Sequence, residues 1–205
     1  MTYDPVLCLA SASPRRRELL ATIGVAVEVR PVNIDETPRA DEAAHDYVVR
    51  LAWEKALAGA PFSTLPILGA DTAVVCDGAI LGKPAGAEQA ASMLRGLAGR
   101  AHEVLTGVAV SGPAGLLTAC VATRVYLRAI SETELAAYWA TGEPADKAGG
   151  YAIQGLAAVF VERIEGSHSA VVGLPLFETA NLLSQQGVLL WNGALPIGPS
   201  SCPMS

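Results

Sequence analysis

The order of apolar and polar positions along the 205 residues predicts short strands that alternate with helices. The segments VLCLA and VAVEVRPV are apolar runs of strand length, and residues 14–23 and 41–58 carry apolar side chains at helical spacing. PILGA and VVC predict two further strand pieces, followed by a helix at residues 87–97. This alternation is typical of an α/β fold.

The second half of the chain adds an antiparallel pair to that pattern. HEVLTGVAV and LLTACVATRVYLRAI predict two strands joined across SGPAG, which makes the expected sheet mixed. Ser131 and Glu134 fit a capping box at the start of a helix that Gly142 ends, and Pro175 opens a last helix that ends near Gly187. We therefore expect one domain over residues 1–187 and a disordered tail over residues 188–205.

Three consecutive arginines stand in the segment LASASPRRRELL, where a helix should begin. Ser13 and Pro14 fit an N-cap and a first helical residue, so Arg15 falls in the first turn. Each cation at this positive end of a helix costs about 0.3–1 kcal/mol when nothing compensates it. A bound phosphate would compensate it, with Ser11 and Ser13 as neutral donors, and a solvated basic turn is the alternative.

Composition restricts the classes of partner. The net charge of −6 and the pI near 5.0 argue against a broad nucleic-acid surface, so basic residues should act locally. No apolar run reaches the roughly 18 residues that a membrane span needs, and the amino terminus lacks a signal-peptide pattern. We therefore expect a cytoplasmic protein without nucleic-acid or membrane partners. The scattered cysteines, Cys8, Cys76, Cys120 and Cys202, support neither a disulfide framework nor a zinc site.

A hairpin in GADTAVVCDGAILGKP predicts which residues lie opposite each other. Asp77 and Gly78 fit a two-residue primed turn, so Cys76 should pair with Ala79. Counting outward from that pair places Lys83 opposite Thr72 and beside Asp71. The hairpin predicts that an ammonium and a carboxylate share a small area, with an incidental surface ion pair as the alternative.

Other charged residues extend this group. Lys55 lies on the same helical stripe as Val48 and Leu51, so it should point inward or snorkel. Asp35 and Glu36 follow a predicted strand, and with Asp71 they would supply the oxygen ligands that Mg²⁺ or Mn²⁺ takes beside substrate phosphates.

The glycine-rich loop GEPADKAGGYAIQG is too long for a simple connection, and we interpret it as functional. Its Asp146 and Lys147 continue the alternation of charge, with a loop ion pair as the alternative. The three histidines, His45, His102 and His168, show no ligand spacing and are interpreted as structural or surface residues.

The ordered motifs LASASPRRREL, NIDETP, EKA, LGADTAV, LGKP, HEVLTGVAV, DKAGGYAIQG and VVGLPL resemble the Maf-type nucleoside triphosphate pyrophosphatases. The resemblance covers Leu7 to about Leu183. It implies a mixed sheet in an elongated, two-lobed molecule with a central cleft, often dimeric, so a homodimer is expected. The implied reaction splits a nucleoside triphosphate between its α and β phosphates with a divalent metal. The implied catalytic and phosphate-binding residues are Ser11, Arg15, Glu36, Lys55, Asp71 and Lys83, with Asp71 as the proton acceptor and with Glu36 and Asp71 as metal ligands.

Within that family, Arg15, Thr72 and Gln154 resemble the branch that acts on dTTP and UTP, as does the loop that carries Lys147 and Gln154. A Gln amide offers an acceptor and a donor that match the N3–H and O4 edge of uracil and thymine. Two positions depart from the family pattern. Where this chain has Ala152 and Ala170, the family more often has Gly and Asn, respectively. The alternative function is a nucleotide-binding regulator of septum formation with weak or no catalysis.

Overall fold

The computed structural model describes residues 4–191, which form a mixed α/β sheet with helices packed against it. The strands are β1 (Leu7–Leu9), β2 (Val27–Val29), β3 (Ile67–Cys76), β4 (Ala79–Leu81), β5 (Ala101–Gly112), β6 (Gly115–Leu127) and β7 (Val161–Glu165). The α-helices are α1 (Pro14–Thr22), α2 (Ala44–Gly59), α3 (Ala87–Leu97), α4 (Glu132–Ala140), α5 (His168–Val172) and α6 (Leu176–Gln185). Short 3₁₀ turns span Ala60–Phe62, Glu143–Asp146, Ala148–Gly150 and Leu156–Phe160.

The strand order in the sheet is β2-β1-β3-β5-β6-β7, with β4 added to β3. Strand β1 pairs in parallel with β2 and β3, whereas the pairs from β3 through β5 and β6 to β7 are antiparallel. The predicted α/β class and mixed sheet are therefore confirmed.

One edge of β3 is left open in its middle, and this opening shapes the molecule. Strand β5 pairs with the other edge from Ile67 to Val75. On the open side, β1 pairs only with Ile67 and Leu68, and β4 pairs only from Val74 onward. Within residues 4–191, no strand pairs with that edge between Gly69 and Ala73. A cleft opens along this edge, and Asp71, Thr72 and Ala73 line it.

The hairpin prediction is right at the turn and wrong farther out. Asp77 and Gly78 both have positive φ, as a type I′ turn requires, and the pairing of Cys76 with Ala79 is confirmed. The ladder stops at Leu81, so Lys83 does not lie opposite Thr72 as a strand partner. The Gly82 carbonyl instead accepts a hydrogen bond from Gly149 N at 3.0 Å.

Helix α2 lies against β3 and β5 because two glycines let it approach closely. A Cβ atom on Gly69 would come within 2.2 Å of the Ala52 carbonyl oxygen, and one on Gly107 within 2.4 Å of the Val48 carbonyl oxygen. These two strand positions therefore determine how close the helix, and every side chain on its inner face, comes to the sheet.

Several local predictions are confirmed. Ser13 accepts a hydrogen bond from Arg16 N at the start of α1, with Pro14 as the first helical residue. Ser131 and Glu134 form the reciprocal capping box of α4, and Gly142 beyond its end has a φ of 77°.

Other boundaries were wrong for identifiable reasons. Helix α2 begins at Ala44 instead of 41 because Asp41 has a left-handed φ of 54°. Strand β2 ends at Val29, shortly before Pro31, which has no N–H to donate to a ladder. PILGA and VVC are parts of the continuous strand β3, so Asp71 lies in the middle of a strand and not at its end.

The two largest clusters of buried apolar residues lie toward opposite ends of the long strands. One contains Leu68 of β3 and Val110 of β5, and the other contains Val74 and Val104 of the same strands. Two cores separated along shared strands agree with the expected two lobes. Val188 and Leu190 are buried in the first cluster, so packed structure continues past the predicted boundary at 187. Most of the predicted tail, from 192 onward, lies outside the described residues.

Candidate active site

A cleft of about 660 Å³ opens along the free edge of β3. It is bordered by the start of α1, the inner face of α2, the β4 hairpin and the glycine-rich loop. Apart from Asp35, the sequence-predicted site residues line it: Ser11, Ser13, Arg15, Glu36, Lys55, Asp71, Thr72, Lys83, Lys147 and Gln154. Side chains from segments far apart in sequence therefore meet in one place.

The central feature of the cleft is a lysine held between two carboxylates. Lys55 Nζ lies 2.7 Å from Asp71 Oδ1 and 2.6 Å from Glu36 Oε1. Lys55 and Asp71 are each 8% exposed, so the prediction that Lys55 points inward is confirmed. Because both acids contact one ammonium, their carboxylates are close neighbours even though they come from a loop and a strand.

The electrostatic environment of Asp71 is unusual for an aspartate. Burial raises its pKa above the ordinary value, and the charges of Lys55 and Arg16 act in the opposite direction. A carboxylate with a raised pKa is a better proton acceptor than one in water. Asp71 is therefore the candidate general base of the cleft.

The loop between β2 and α2 places Glu36 over the cleft. Tyr47 of α2 donates its hydroxyl to the Glu36 carbonyl at 3.0 Å, and Arg50 donates to the Thr37 carbonyl at 3.3 Å. Asp35 does not line the cleft, because its Oδ1 accepts a hydrogen bond from Thr37 N at 2.9 Å. Of these two adjacent acids, Glu36 therefore lies beside Asp71, whereas the Asp35 side chain stabilises a local turn.

Two residues of the arginine run, Arg15 and Arg16, line the cleft, and they differ in how firmly their side chains are held. Arg15 is only loosely held, with Nη1 at 3.6 Å from Asp146 Oδ2. Arg16 is fixed at three points: Nε donates to the Gly173 carbonyl at 2.9 Å, Nη1 to Ser11 Oγ at 3.1 Å, and Nη2 lies 3.5 Å from Thr72 Oγ1. Arg16 therefore joins α1 to β3 and to the turn after α5.

The serines of this segment are engaged with the same network. Ser13 Oγ caps Arg16 N at 3.4 Å, and Ser11 Oγ accepts from Ser13 N at 3.2 Å. Thr72 Oγ1 lies 3.0 Å from Thr106 Oγ1 on the neighbouring strand, which in turn donates to the carbonyl of Ala170 at 2.7 Å. The start of α1 is thus preorganised beside β3.

The opposite wall of the cleft is the glycine-rich loop. Lys147 forms an ion pair with Asp146, which is the loop ion pair that the sequence analysis gave as an alternative. Arg15 contacts the same carboxylate, so Asp146 lies between Arg15 and Lys147. Gln154 is exposed and lines the cleft directly after two buried residues, Ala152 and Ile153. Lys83, also exposed, follows the β4 hairpin.

Sequence reasoning missed Arg16 and Tyr47. Nothing in PRRRELL distinguishes Arg16 from Arg15, since the direction of each side chain depends on what packs against the helix. Tyr47 does carry a signal, because it precedes Lys55 by eight residues and lies on the same helical stripe.

A divalent cation could be held here only with help from a ligand. Among residues 4–191, no three or more His, Cys, Asp or Glu side chains are grouped so that they could hold a metal ion. Glu36 and Asp71 offer two carboxylates on facing segments, which is the kind of partial donor set that Mg²⁺ completes with substrate phosphates and water. The residues present therefore fit a metal that arrives with a phosphate ligand.

The fold and the cleft define an α/β protein with a site that sets several cations against a pair of acids. In the part of the chain that the structure describes, none of the helices has the length and apolarity of a membrane span. Residues 6–186 match the family described as Maf-like protein. The chain belongs to the Maf-like family.

Relatives of known name are similar over nearly the whole chain. The dTTP/UTP pyrophosphatase of Hahella chejuensis is 51% identical over 190 residues, 91% of this chain and 94% of that protein. The proteins of the same name from Saccharophagus degradans and Escherichia coli O157:H7 are each 51% identical, over 93% and 89% of this chain and 93% and 94% of their own lengths. A crystal structure of a nucleoside-triphosphatase / dITP/XTP pyrophosphatase from Mycobacterium abscessus matches 59% of this chain and 72% of that chain. The two chains are 17% identical with a TM-score of 0.37, and we base no conclusion on this similarity.

Proposed function

We propose that this chain hydrolyses dTTP and UTP to the nucleoside monophosphate and pyrophosphate. The observation that carries the proposal is the Lys55 cluster, in which two acids and a buried ammonium lie in the same cleft as the basic start of α1. The names of relatives about half identical over nine tenths of the chain support the reaction and the substrates.

The triphosphate is bound by the cations that line the cleft. Arg15 and Lys147 face each other across Asp146, and a phosphate would replace that carboxylate between them. Lys83 supplies a further charge, and the hydroxyls of Ser11 and Ser13, which accept hydrogen bonds within the chain, can still donate to a phosphate. Arg16 holds α1 against β3, so that these groups keep their positions.

Asp71 accepts a proton from the water that attacks the α phosphorus. Burial raises its pKa, and Lys55 at 2.7 Å keeps its carboxylate oriented and ionised. The α phosphorus to oxygen bond breaks on the pyrophosphate side, and the cations of the cleft neutralise the charge that develops on the leaving group. Water must enter the cleft for this step, and the open edge of β3 gives it access.

Glu36 and Asp71 would hold a divalent cation, Mg²⁺ or Mn²⁺, together with phosphate oxygens. When bound, the metal supplies charge neutralisation at the reacting phosphates. The Lys55 ammonium lies between the two carboxylates. When the metal and substrate bind, Lys55 would move aside or would share the carboxylates with the metal. The chain's own acids are already close enough to act as a pair.

Base selectivity depends on Gln154, Thr72 and Arg15. The amide of Gln154 matches the N3–H and O4 edge that uracil and thymine share. Thr72 lies on the free edge of β3, with its hydroxyl fixed between Arg16 and Thr106. Uridine triphosphates modified elsewhere on the ring keep the same edge and would also be accepted.

The test is the replacement Asp71→Asn, assayed by pyrophosphate release from dTTP, UTP, CTP, ATP, GTP and 7-methyl-GTP. We expect near-complete loss of turnover on dTTP and UTP with the fold retained, since general bases contribute about 10²–10⁴-fold. Asp77→Asn is the matched control, because Asp77 lies at the turn of the adjoining hairpin, outside the cleft, with a surface ion pair to Arg100. Its turnover should equal that of the wild type.

Three results would count against the proposal. Turnover of Asp71→Asn within a few-fold of the wild type would remove the role of Asp71, and a preference for purine nucleotides would remove the assigned specificity. A wild-type chain that binds dTTP without releasing pyrophosphate, and whose Asp71→Asn variant binds it more tightly, would favour the nucleotide-binding regulator. Dimerisation stays a prediction, which light scattering of the purified chain tests.

A further inference from the structure

Gln154 lines the cleft from a loop whose shape is determined by residues outside the cleft. Its segment has no regular strand or helix to hold it, since residues 151–155 lie between two 3₁₀ turns. A side chain that reads a base must nevertheless be held in place. The contacts that hold this segment are therefore of functional interest.

Two side chains, Glu143 and Tyr138, make those contacts from behind the loop. Glu143 Oε2 accepts from Leu156 N at 3.0 Å, and Glu143 Oε1 accepts from Ala157 N at 3.3 Å. Tyr138 donates its hydroxyl to Glu143 Oε1 at 2.8 Å and accepts from Ala152 N at 3.2 Å. The segment that carries Gln154 is thus tethered on both sides of that residue.

The glycine at 155 fits the same arrangement. A Cβ atom at Gly155 would lie 2.2 Å from Glu143 Oε2, so the carboxylate occupies the space that any other residue would need. Partial burial opposes ionisation of Glu143, yet the amides of Leu156 and Ala157 and the phenol of Tyr138 hold its pKa below the usual range. Glu143 is therefore an anion at neutral pH, and it accepts each of these hydrogen bonds.

The anchor itself is rigid. Tyr138 is 4% exposed, and its ring packs edge to face on Phe160 at a centroid distance of 5.4 Å. It belongs to the same apolar cluster as Tyr151 and Ile153, which flank Ala152. The hydroxyl of Tyr138 therefore has a fixed position from which it holds the loop.

We propose that Glu143 and Tyr138 are positioning residues that hold Gln154 against the nucleobase and so set base selectivity. This inference rests on the proposed function. A Gln amide reads the edge of a base only at hydrogen-bond distance, so its discrimination between uracil and cytosine depends on where its backbone segment is held. Neither Glu143 nor Tyr138 is among the residues that line the cleft.

The experiment measures kcat/KM for UTP and for CTP in Glu143→Ala, Glu143→Gln and Tyr138→Phe. The readout is the UTP-to-CTP ratio, because a merely structural defect lowers the active fraction for both nucleotides equally and leaves the ratio unchanged. We expect the ratio to fall about tenfold in Glu143→Ala and by a few-fold in Tyr138→Phe, since misplaced recognition groups lose their discrimination. Glu143→Gln keeps one acceptor oxygen and should fall between Glu143→Ala and the wild type.

Glu132→Gln is the matched control. Glu132 is an exposed acid in the first turn of α4 whose partner is Arg95 at 2.7 Å, away from the loop. Its ratio should equal that of the wild type. Hydrogen exchange supplies an independent readout, since the amides of Ala152, Leu156 and Ala157 should exchange faster in Glu143→Ala than in the control.

An unchanged ratio in folded Glu143→Ala or Tyr138→Phe would overturn the inference. If Glu143→Ala does not fold, Tyr138→Phe decides, because it removes a single oxygen atom and keeps the ring packing. If the wild-type chain releases no pyrophosphate from UTP, the proposed function fails by itself. The ratio of dissociation constants for UTP and CTP in the same variants then decides the inference.

Discussion

Replacing Gly69 by alanine should damage the site by displacing helix α2, which carries Lys55. Gly69 lies on β3, two residues before Asp71 on the same face, and α2 packs directly over it. The added Cβ would lie 2.2 Å from the Ala52 carbonyl oxygen and 2.6 Å from Ala56 N. Both are backbone atoms of α2, so no side-chain rotation relieves the contact.

The magnitude follows from that geometry. To reach ordinary contact the helix must retreat by roughly 1 Å, and overpacking of this kind costs about 1–3 kcal/mol of unfolding free energy. Lys55 moves with the helix, so its 2.7 Å contact with Asp71 lengthens beyond a normal hydrogen bond. A displacement of about 1 Å at a catalytic group costs roughly 10²-fold in rate, and we expect kcat/KM for UTP to fall by that factor.

Urea unfolding and pyrophosphate release measure the two effects, with Gly96→Ala as the matched control. Gly96 is an exposed position of α3 with open space where its Cβ would be, so alanine there should add up to about 1 kcal/mol of stability and leave activity unchanged. A Gly69→Ala protein within about 0.5 kcal/mol and twofold of the wild type would refute the claim that this glycine sets the helix position.

Three further predictions concern charge and pH. Lys55→Met should move the acid limb of the kcat/KM profile on UTP to higher pH than in the wild type, because the ammonium lowers the pKa of Asp71; an unmoved limb would contradict this. Burial lowers the pKa of His102 to about 4, so the unfolded chain takes up a proton near pH 6.5 that the folded chain does not. The unfolding free energy should therefore fall by up to about 1.4 kcal/mol per pH unit between 6.5 and 4, and urea titrations should show a weaker dependence in His102→Gln. Arg16→Lys, which cannot keep all of its contacts, should lower kcat/KM about tenfold, whereas Arg17→Lys on the exposed side of α1 should not; equal activities would contradict the anchoring role.

Short-range sequence patterns predicted the local structure well because their physical causes are local. Ser13 with Pro14, Ser131 with Glu134, and the Asp77–Gly78 turn each depend on hydrogen bonds or backbone angles within a few residues. The inward direction of Lys55 followed from helical spacing alone. The order of motifs along the chain also predicted which residues would share a cleft, through resemblance to a family.

Contacts between distant segments decided the details of the site. Counting along the sequence extended the pairing of β3 with β4 as far as Lys83. In the structure the pairing ends at Leu81, where Gly149 N donates to the next carbonyl, that of Gly82, and the edge of β3 stays open. Residue chemistry alone did not separate Asp35 from Glu36, although the family resemblance implied Glu36, and the structure places Glu36 at the cleft, where Tyr47 binds its carbonyl. Packing of α1 against β3 separates Arg16, which is anchored, from Arg15, which faces the cleft.

The α/β class, the caps and turns, and the set of residues with the right chemistry could thus be predicted from the order of amino acids. Long-range packing determined how these residues are held at the cleft, and it placed Glu143 and Tyr138 behind the loop. The reason is that hydrogen bonds within a turn depend on neighbours in the chain. The direction of a side chain into a cleft depends instead on which distant backbone groups pack against it.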